Sequence, residues 1–230
     1  MIWLLVVFLA FVAAFGFWRF WYFLRDPKRE PPEGEDLILA AADGYITYVK
    51  RVEAGEIPIA LKNRTHIRLD EFTALPEMAG GAGYLIGTYM TETSVHRNRA
   101  PVSGEVILRR HRPAAETNRS LARMTANLTL GRQPFEAGCD FLLENERLTI
   151  ALRMADGPVV TVTQIADQWI DRIVARVAVG DQLERGAQYG MIRFGSQCDV
   201  YLPEAVVAEI RVAPGDYVYA GESVLAHRAG

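Results

Sequence analysis

The chain has 230 residues, of which 50% are hydrophobic and 23% are charged, and its formal net charge at pH 7 is −3. This composition is sufficient for one substantial folded core together with a membrane segment, and it excludes a disordered chain and a basic nucleic-acid-binding protein. The two cysteines, Cys139 and Cys198, are too few for a disulfide framework and have no zinc-binding spacing, which favours a reducing compartment and no metal.

The first predicted element is an apolar helix at the N-terminus. Residues 2–18 carry no charge, and apolar residues resume after Arg19 and continue to Leu24. A helix needs about 20 apolar residues to cross a bilayer, so residues 1–24 are predicted to form a transmembrane or membrane-anchoring helix. A cleaved signal peptide is the alternative, but here the basic residues follow the apolar run. By the positive-inside tendency, we expect the remaining chain on the cytoplasmic side of the cell membrane.

Next comes a polar segment, followed by a domain rich in strand patterns. Residues 25–36, RDPKREPPEGED, are charged and proline-rich and predict a juxtamembrane linker. The folded domain then covers residues 37–230. Short apolar or alternating runs predict strands at 45–49, 65–69, 105–109, 148–152 and 159–165, and short helices are predicted near 116–128 and 203–208. The expected fold class is β-rich α+β.

Two segments near the C-terminus share the pattern Gly-Asp-x-Leu/Val-x-x-Gly. Residues 179–186 and 214–221 each predict a turn, a short strand and a second turn, with Gly180 and Gly215 at positive φ. Such pairs are typical of barrel-sandwich domains, including lipoyl and biotinyl carriers, and two unrelated turns are the alternative. No lysine lies between the units, which argues against a carrier domain. The segment between them is predicted to contain a central strand.

A Gly-Ser pair, Gly195–Ser196, interrupts the apolar pattern of residues 190–203. Glycine inside a strand marks a bulge or a close approach to the backbone. A serine hydroxyl can attack the carbonyl of the preceding residue when the peptide is held bent and a base takes the proton. The resulting ester can eliminate, and loss of ammonia then leaves a ketone, a pyruvoyl group, at the new N-terminus. A Gly-Ser dipeptide alone is not specific to this chemistry.

Six segments, in order along the chain, resemble the short form of the phosphatidylserine decarboxylase family. They are the N-terminal anchor with FLRDPKREPPEG, then ADGYITYV, VHRNRAPVSGEV, NERLTI, VTQIADQWIDRIV and GDQLERGAQYGMIRFGSQCDVYLP. The sequence departs from the family pattern at MTETSVH (90–96), at Arg99 and at Gln197. The resemblance extends from the anchor nearly to the C-terminus and implies a β-rich, barrel-sandwich-like domain behind a membrane anchor.

The resemblance also implies roles for Gly195, Ser196, Asp43 and His96, and Arg99 marks a departure from it. Gly195–Ser196 matches the self-cleavage bond, which would give a β chain of 1–195 and an α chain of 196–230 whose pyruvoyl cofactor derives from Ser196. Asp43 matches the carboxylate that helps to activate the serine. His96 matches the first of two motif histidines and is the nearby candidate base, oriented or charge-balanced by Asp43. Arg99 replaces the second histidine and is a candidate contact for a phosphate or carboxylate.

The implied activity is decarboxylation of membrane phosphatidylserine to phosphatidylethanolamine and CO2, and a homodimer is implied as well. Two alternatives remain at this point: an archaetidylserine decarboxylase, and a non-catalytic barrel-sandwich adaptor tethered to the membrane. Purely structural roles are the alternative for the side chains, with Asp43 holding a turn, His96 hydrogen-bonded in the core and Arg99 in a surface ion pair.

Overall fold

The computed structural model describes residues 2–61, 64–168, 173–193 and 196–229. The helices are α1 (Ile2–Phe17), α2 (Leu69–Thr73), α3 (Ala122–Thr129) and α4 (Phe141–Glu144). The strands are β1 (Leu37–Leu39), β2 (Gly44–Val52), β3 (Glu56–Ile57), β4 (Ile67–Arg68), β5 (Gly83–Met90), β6 (Arg97–Arg99), β7 (Gly104–Arg112), β8 (Arg147–Arg153), β9 (Val159–Ala166), β10 (Ile173–Ala175), β11 (Gln182–Leu183), β12 (Gln188–Ile192), β13 (Ser196–Pro203), β14 (Val207–Ile210), β15 (Tyr217–Val218) and β16 (Val224–Arg228).

The N-terminal helix projects from the domain. Helix α1 continues into a turn of π-helix at Trp18–Tyr22, and together they form an apolar helix of 21 residues. At 1.5 Å per residue this helix is about 30 Å long, which matches the hydrocarbon core of a bilayer. No residue of α1 is buried against the rest of the chain. The predicted N-terminal helix is therefore confirmed as one long and apolar enough to cross a membrane.

The domain is organised around an antiparallel sheet of eight strands in the order β11-β7-β8-β9-β13-β5-β2-β15. This sheet curls into a half-barrel, and the predicted β-rich fold class is confirmed. Strand β13 lies in the interior of the sheet, where Ser196 is paired with Met90 of β5 on one side and with Ala166 of β9 on the other. Every residue of β13 except Pro203 is buried. Two further sheets have three strands each, β1-β16-β14 and β10-β12-β6.

Alternate side chains of the central strands face two different cores. Ile86 and Cys198 belong to the larger core, which includes residues of the two three-stranded sheets. Leu85 and Tyr201 belong to a second core, which includes residues of α2, α3 and α4. Because successive side chains of a strand point to opposite faces, Ser196 shares the face of Cys198 and the larger core.

Four of the five predicted strands are confirmed, and three other predictions are corrected. In the 65–69 run only Ile67–Arg68 is extended, and α2 begins at Leu69 with acidic residues in its first turn, where the helix dipole favours them. The 203–208 run forms a single 3-10 turn followed by β14, and the helix near 116–128 is the shorter α3. Residues 190–203 do not form one interrupted strand, because β12 and β13 belong to different sheets.

The two repeated turn units adopt the same local structure at opposite edges of the large sheet. Gly180 and Gly215 both have positive φ, as predicted. Asp181 accepts a hydrogen bond from the Ala178 N–H at 2.8 Å, and Asp216 does the same three residues back, also at 2.8 Å. The short strand of each unit, β11 or β15, pairs with an edge of the sheet. The shared sequence pattern thus encodes a shared turn.

The segment between the membrane helix and β1 packs on the domain. We call residues 23–36 the strap. Phe23 is fully buried, and Arg25 Nη2 lies 2.5 Å from the Thr93 carbonyl oxygen. Further along, Arg185 donates a 3.0 Å hydrogen bond to the Pro32 carbonyl. Residues 25–36, which the sequence predicts as a linker, are therefore packed against the folded domain.

Candidate active site

Ser196 is the first residue of β13, and its side chain is fully buried at the middle of the large sheet. Its Oγ lies 3.3 Å from the sulfur of Met90 on the neighbouring strand. The preceding residue, Gly195, lies outside the described residues. The hydroxyl is thus in a site that excludes water and offers it a weak, polarizable acceptor.

Asp43 lies immediately before β2, where the following glycine is required by close packing. A Cβ on Gly44 would collide with the carbonyl oxygen of Tyr89 on β5. The Asp43 carboxylate is buried and accepts two hydrogen bonds, from Arg29 Nη2 at 2.7 Å and from the Ala220 N–H at 2.8 Å. Burial raises the pKa of Asp43, while the Ala220 N–H and the positive charge of Arg29 oppose that rise.

His96 is fully buried just before β6, and its environment defines its tautomer. Its Nδ1 lies 2.9 Å from the Ser94 carbonyl oxygen, which can only accept, so the ring proton is on Nδ1. The other nitrogen, Nε2, is buried and has no hydrogen-bond partner. The ring of Phe23, from the strap, stacks on the imidazole with ring centroids 4.1 Å apart. His96 therefore has an unprotonated nitrogen that is buried and without a hydrogen-bond partner.

Burial lowers the pKa of His96 to about 3, the hydrogen bond to Ser94 opposes this change, and the positive charge of Arg25 lowers the pKa further. The imidazole is therefore neutral at physiological pH. A neutral imidazole with a free Nε2 can accept a proton or a hydrogen bond from a group brought into the pocket.

Arg99, at the end of β6, contacts the strap. Its Nη1 donates to the Gly186 carbonyl oxygen at 3.0 Å, and its Nη2 donates to Asp26 Oδ1 at 2.9 Å. Arg97 also faces Asp26, with its Nε 4.0 Å from the carboxylate. The strap thus supplies a carboxylate to the guanidinium that the sequence predicts as an anion contact.

The predicted site residues Asp43, His96 and Ser196 do not hydrogen-bond directly to one another in the part of the chain that the structure describes. Asn98 lies between the segments that carry Ser196 and Asp43, and its Nδ2 is 3.9 Å from the Met90 sulfur that contacts Ser196. The same Nδ2 lies 3.5 Å from the carbonyl oxygen of Ala41, two residues before Asp43. Each of Asp43, His96 and Arg99 instead has a partner in the strap.

Asn98, Gln164 and the strap residues surround the candidate site but were not among the predicted site residues. Gln164 donates a 2.8 Å hydrogen bond to Asn98 Oδ1, and both side chains are fully buried. Gln164 stands in an otherwise apolar and threonine-rich strand pattern, and Asn98 lies two residues after His96, so each carried a signal. The sequence signal at Phe23 and Arg29 was weaker, because a proline-rich polar segment is usually an exposed connection.

Comparison with known proteins gives a consistent set of similarities. The sequence model of the phosphatidylserine decarboxylase family matches residues 17–226. A protein of Ruegeria pomeroyi is 35% identical over 207 residues, covering 90% of this chain and 77% of its own length. One of Symbiobacterium thermophilum is 34% identical over 223 residues, covering 97% and 83% respectively. One of Nitrosomonas europaea is 36% identical over 205 residues, covering 89% and 76%. All three are named phosphatidylserine decarboxylase proenzyme.

Proposed function

This chain belongs to the phosphatidylserine decarboxylase family, and we propose that it is a self-cleaving proenzyme that converts phosphatidylserine to phosphatidylethanolamine and CO2. The proposed cut lies between Gly195 and Ser196 and yields chains of 1–195 and 196–230. The observation that carries the proposal is the family match across residues 17–226 together with a fully buried serine hydroxyl at the start of a central strand.

In the proposed maturation, the Ser196 hydroxyl attacks the Gly195 carbonyl carbon and its proton passes to a base. The N–C bond of the peptide breaks as an O–C ester bond forms. Elimination then releases the 1–195 chain as a carboxylate, and addition of water followed by loss of ammonia leaves a ketone at residue 196. We assign the base to His96, because its Nε2 is unprotonated and has no other partner.

The surroundings of residue 196 are suited to a pyruvoyl group. When formed, that group supplies a ketone that accepts the electron pair released as CO2 leaves. Ser196 and Met90, whose sulfur contacts the serine hydroxyl, are both fully buried, and so is the proposed base His96. The unpartnered Nε2 of His96 is free to hold or release a proton there. In this proposal Asp43 contributes negative charge to the site, and its carboxylate is held by Arg29 and Ala220.

Arg99 is the proposed contact for the phosphate or carboxylate of the lipid. Its guanidinium already binds Asp26, so a lipid anion must share or displace that carboxylate. The apolar helix keeps the domain close to the bilayer, which fits a substrate whose acyl chains stay in the membrane. The basic residues after the helix favour the cytoplasmic side, and we also propose the homodimer that the sequence resemblance implies.

Intact-mass analysis of the purified full chain tests the cut directly. We expect two chains in the wild type, with the smaller one beginning at a pyruvoyl group, and one uncut chain in Ser196→Ala. Ser103→Ala, which replaces an exposed serine, is the matched control and should be cut normally.

Decarboxylation is measured as CO2 release from vesicles that contain phosphatidylserine, with archaetidylserine vesicles as a parallel arm. Wild-type protein should release CO2 from phosphatidylserine, and Ser196→Ala should not. An uncut wild type that is fully active, or an active Ser196→Ala variant, would overturn the mechanism. His96→Gln and Arg99→Ala, each assayed separately for cutting and for turnover, test the individual roles.

A further inference from the structure

The strap residue Arg29 joins two carboxylates that are far apart in the sequence. Its Nη2 donates to Asp43 Oδ2 at 2.7 Å, and its Nη1 donates to Glu222 Oε2 at 2.6 Å. The guanidinium also lies over the ring of Tyr219, 5.4 Å from its centroid. The Glu30 N–H donates to the second oxygen of Glu222 at 3.2 Å, which fixes the strap at the same point.

The Arg29–Asp43 contact differs from the exposed ion pairs of this protein. The two side chains are only 9% and 3% exposed, whereas those of the neighbouring pair, Lys28 and Glu30, are 85% and 78% exposed. A buried carboxylate that loses its charged partner is left uncompensated, whereas an exposed one is simply hydrated. Asp43 would keep a single neutral donor, the Ala220 N–H.

We propose that Arg29 is a positioning residue of the active site, which orients the Asp43 carboxylate and keeps it ionised during self-cleavage. The inference rests on the proposed function of Asp43 and Ser196 and adds a role for the strap. Because Asp43 lies in the 1–195 chain and Glu222 in the 196–230 chain, the same guanidinium also joins the two products of the proposed cut near the site.

The charged and titratable groups around Asp43 give the proposal a distinctive pH signature. Arg29 and the more distant Arg25 favour the ionised carboxylate, whereas burial disfavours it. Tyr217 also lies near Asp43, but its pKa is raised above the ordinary value of 10, so it stays uncharged over the pH range tested. Glu222 faces Asp43 only across the Arg29 guanidinium. Loss of Arg29 removes the principal favourable charge, so the carboxylate should take up a proton at a higher pH than in the wild type.

The test follows self-cleavage of the full-length precursor over time by gel electrophoresis, between pH 5 and pH 8.5. We expect Arg29→Met to cut at least tenfold more slowly at pH 7 and to move the acidic limb of the rate profile upward by about one pH unit. Arg29→Lys should restore part of the cleavage rate and part of the pH profile. It keeps the positive charge, but its single ammonium nitrogen cannot contact both carboxylates as the two guanidinium nitrogens do. Lys28→Met, in the adjacent exposed pair, should cut within twofold of the wild type.

Each other outcome has a defined meaning. Arg29→Met that cuts at the wild-type rate with an unchanged acidic limb overturns the proposal, as does Arg29→Lys that rescues neither quantity while melting at the wild-type temperature. If Arg29→Met does not fold, Arg29→Lys and Glu222→Gln decide the matter. The latter keeps the Asp43 pair and should leave the acidic limb within half a pH unit. An uncut wild type would refute the proposed function itself, which separates the two failures.

Discussion

Replacing Phe23 with alanine should raise the pKa of His96, because the Phe23 ring closes one face of the imidazole. The ordinary histidine value of 6.5 and the value of about 3 in this site differ by about 5 kcal/mol, at about 1.4 kcal/mol per pH unit. Burial is the main cause, and the stacked ring, 4.1 Å away, covers one of the two ring faces. We therefore assign roughly half of the difference to Phe23 and expect the pKa to rise by about 1.5 to 2 pH units in the variant.

The measurement is an NMR titration of the imidazole Cε1–H resonances in detergent-solubilised Ser196→Ala protein, which is expected to remain a single chain. The protein has four histidines, so His96→Gln identifies the resonance. Phe72→Ala removes an equally buried ring from the second core and is the control for general loosening. An imidazole that titrates near 6.5 before any change at Phe23, or one whose pKa is the same with and without that ring, would refute the reasoning.

The same pKa has a consequence for stability whose direction can be worked out. The folded state holds His96 neutral, so the unfolded state binds more protons below about pH 6.5. The contribution of His96 to stability is therefore complete above that pH and is lost as the pH falls towards 3. At pH 5 the loss is about 2 kcal/mol, which denaturant unfolding of the uncut precursor should detect against His96→Gln.

Three further predictions concern the strap and the second core. Asp26→Asn should lower the KM for phosphatidylserine roughly threefold to tenfold without changing self-cleavage, because it weakens the internal competitor for Arg99. Asp199→Asn should remove a pH dependence of stability. Burial raises the pKa of Asp199 from 3.8 to about 7, so the wild-type precursor loses up to a few kcal/mol as the pH rises from about 4 to 7, with no further loss above that. Thermal unfolding at pH 5.5 and 8.5 should detect about half of this loss, roughly 2 kcal/mol. Gly87→Ala should destabilise the precursor by about 1–3 kcal/mol in urea unfolding, since its Cβ would lie 2.6 Å from both Asp199 Oδ1 and Tyr48 Cζ.

Each of these predictions can fail in a specific way. An unchanged KM in Asp26→Asn would mean that the Asp26 carboxylate does not compete with the lipid. An equal pH dependence in the wild type and Asp199→Asn would assign the effect to other groups. Urea midpoints for Gly87→Ala and the wild type that agree within error would show that the buried hydrogen bonds around Asp199 rearrange at little cost. Gly16→Ala, with no atom within 4 Å of the added Cβ, is the control for the glycine substitution.

The central sheet could be predicted from sequence because its strands carry their own pattern. The run at 159–165 alternates threonine with valine and isoleucine, and it forms β9 with residues facing both cores. The division of residues 190–203 between two sheets could not be predicted in this way. It depends on which strands pair with β12 and β13, and those partners lie elsewhere in the sequence.

The candidate site residues stay predictions, and the sequence indicates them less directly than it indicates the sheet. Ser196 was identified from a motif, but the surroundings of Asp43 and His96 come from residues that no local pattern connects to them. Arg29 is 14 residues from Asp43 and 193 from Glu222, and Phe23 reaches His96 from the end of the membrane helix. A polar, proline-rich segment gives no sign that it will pack over buried groups, because its own composition is that of an exposed connection.

The interior position of β13 determines whether the cut protein could refold after denaturation. Once cut, the 35-residue C-terminal fragment would supply a middle strand of the large sheet, clamped between β5 and β9, so it should stay in place under native conditions. Unfolding would release it as a separate molecule, and refolding would then require a bimolecular encounter whose yield depends on concentration. If the proposed cut occurs, a denatured precursor could still refold as one chain, whereas a denatured mature enzyme would recover only in a concentration-dependent way.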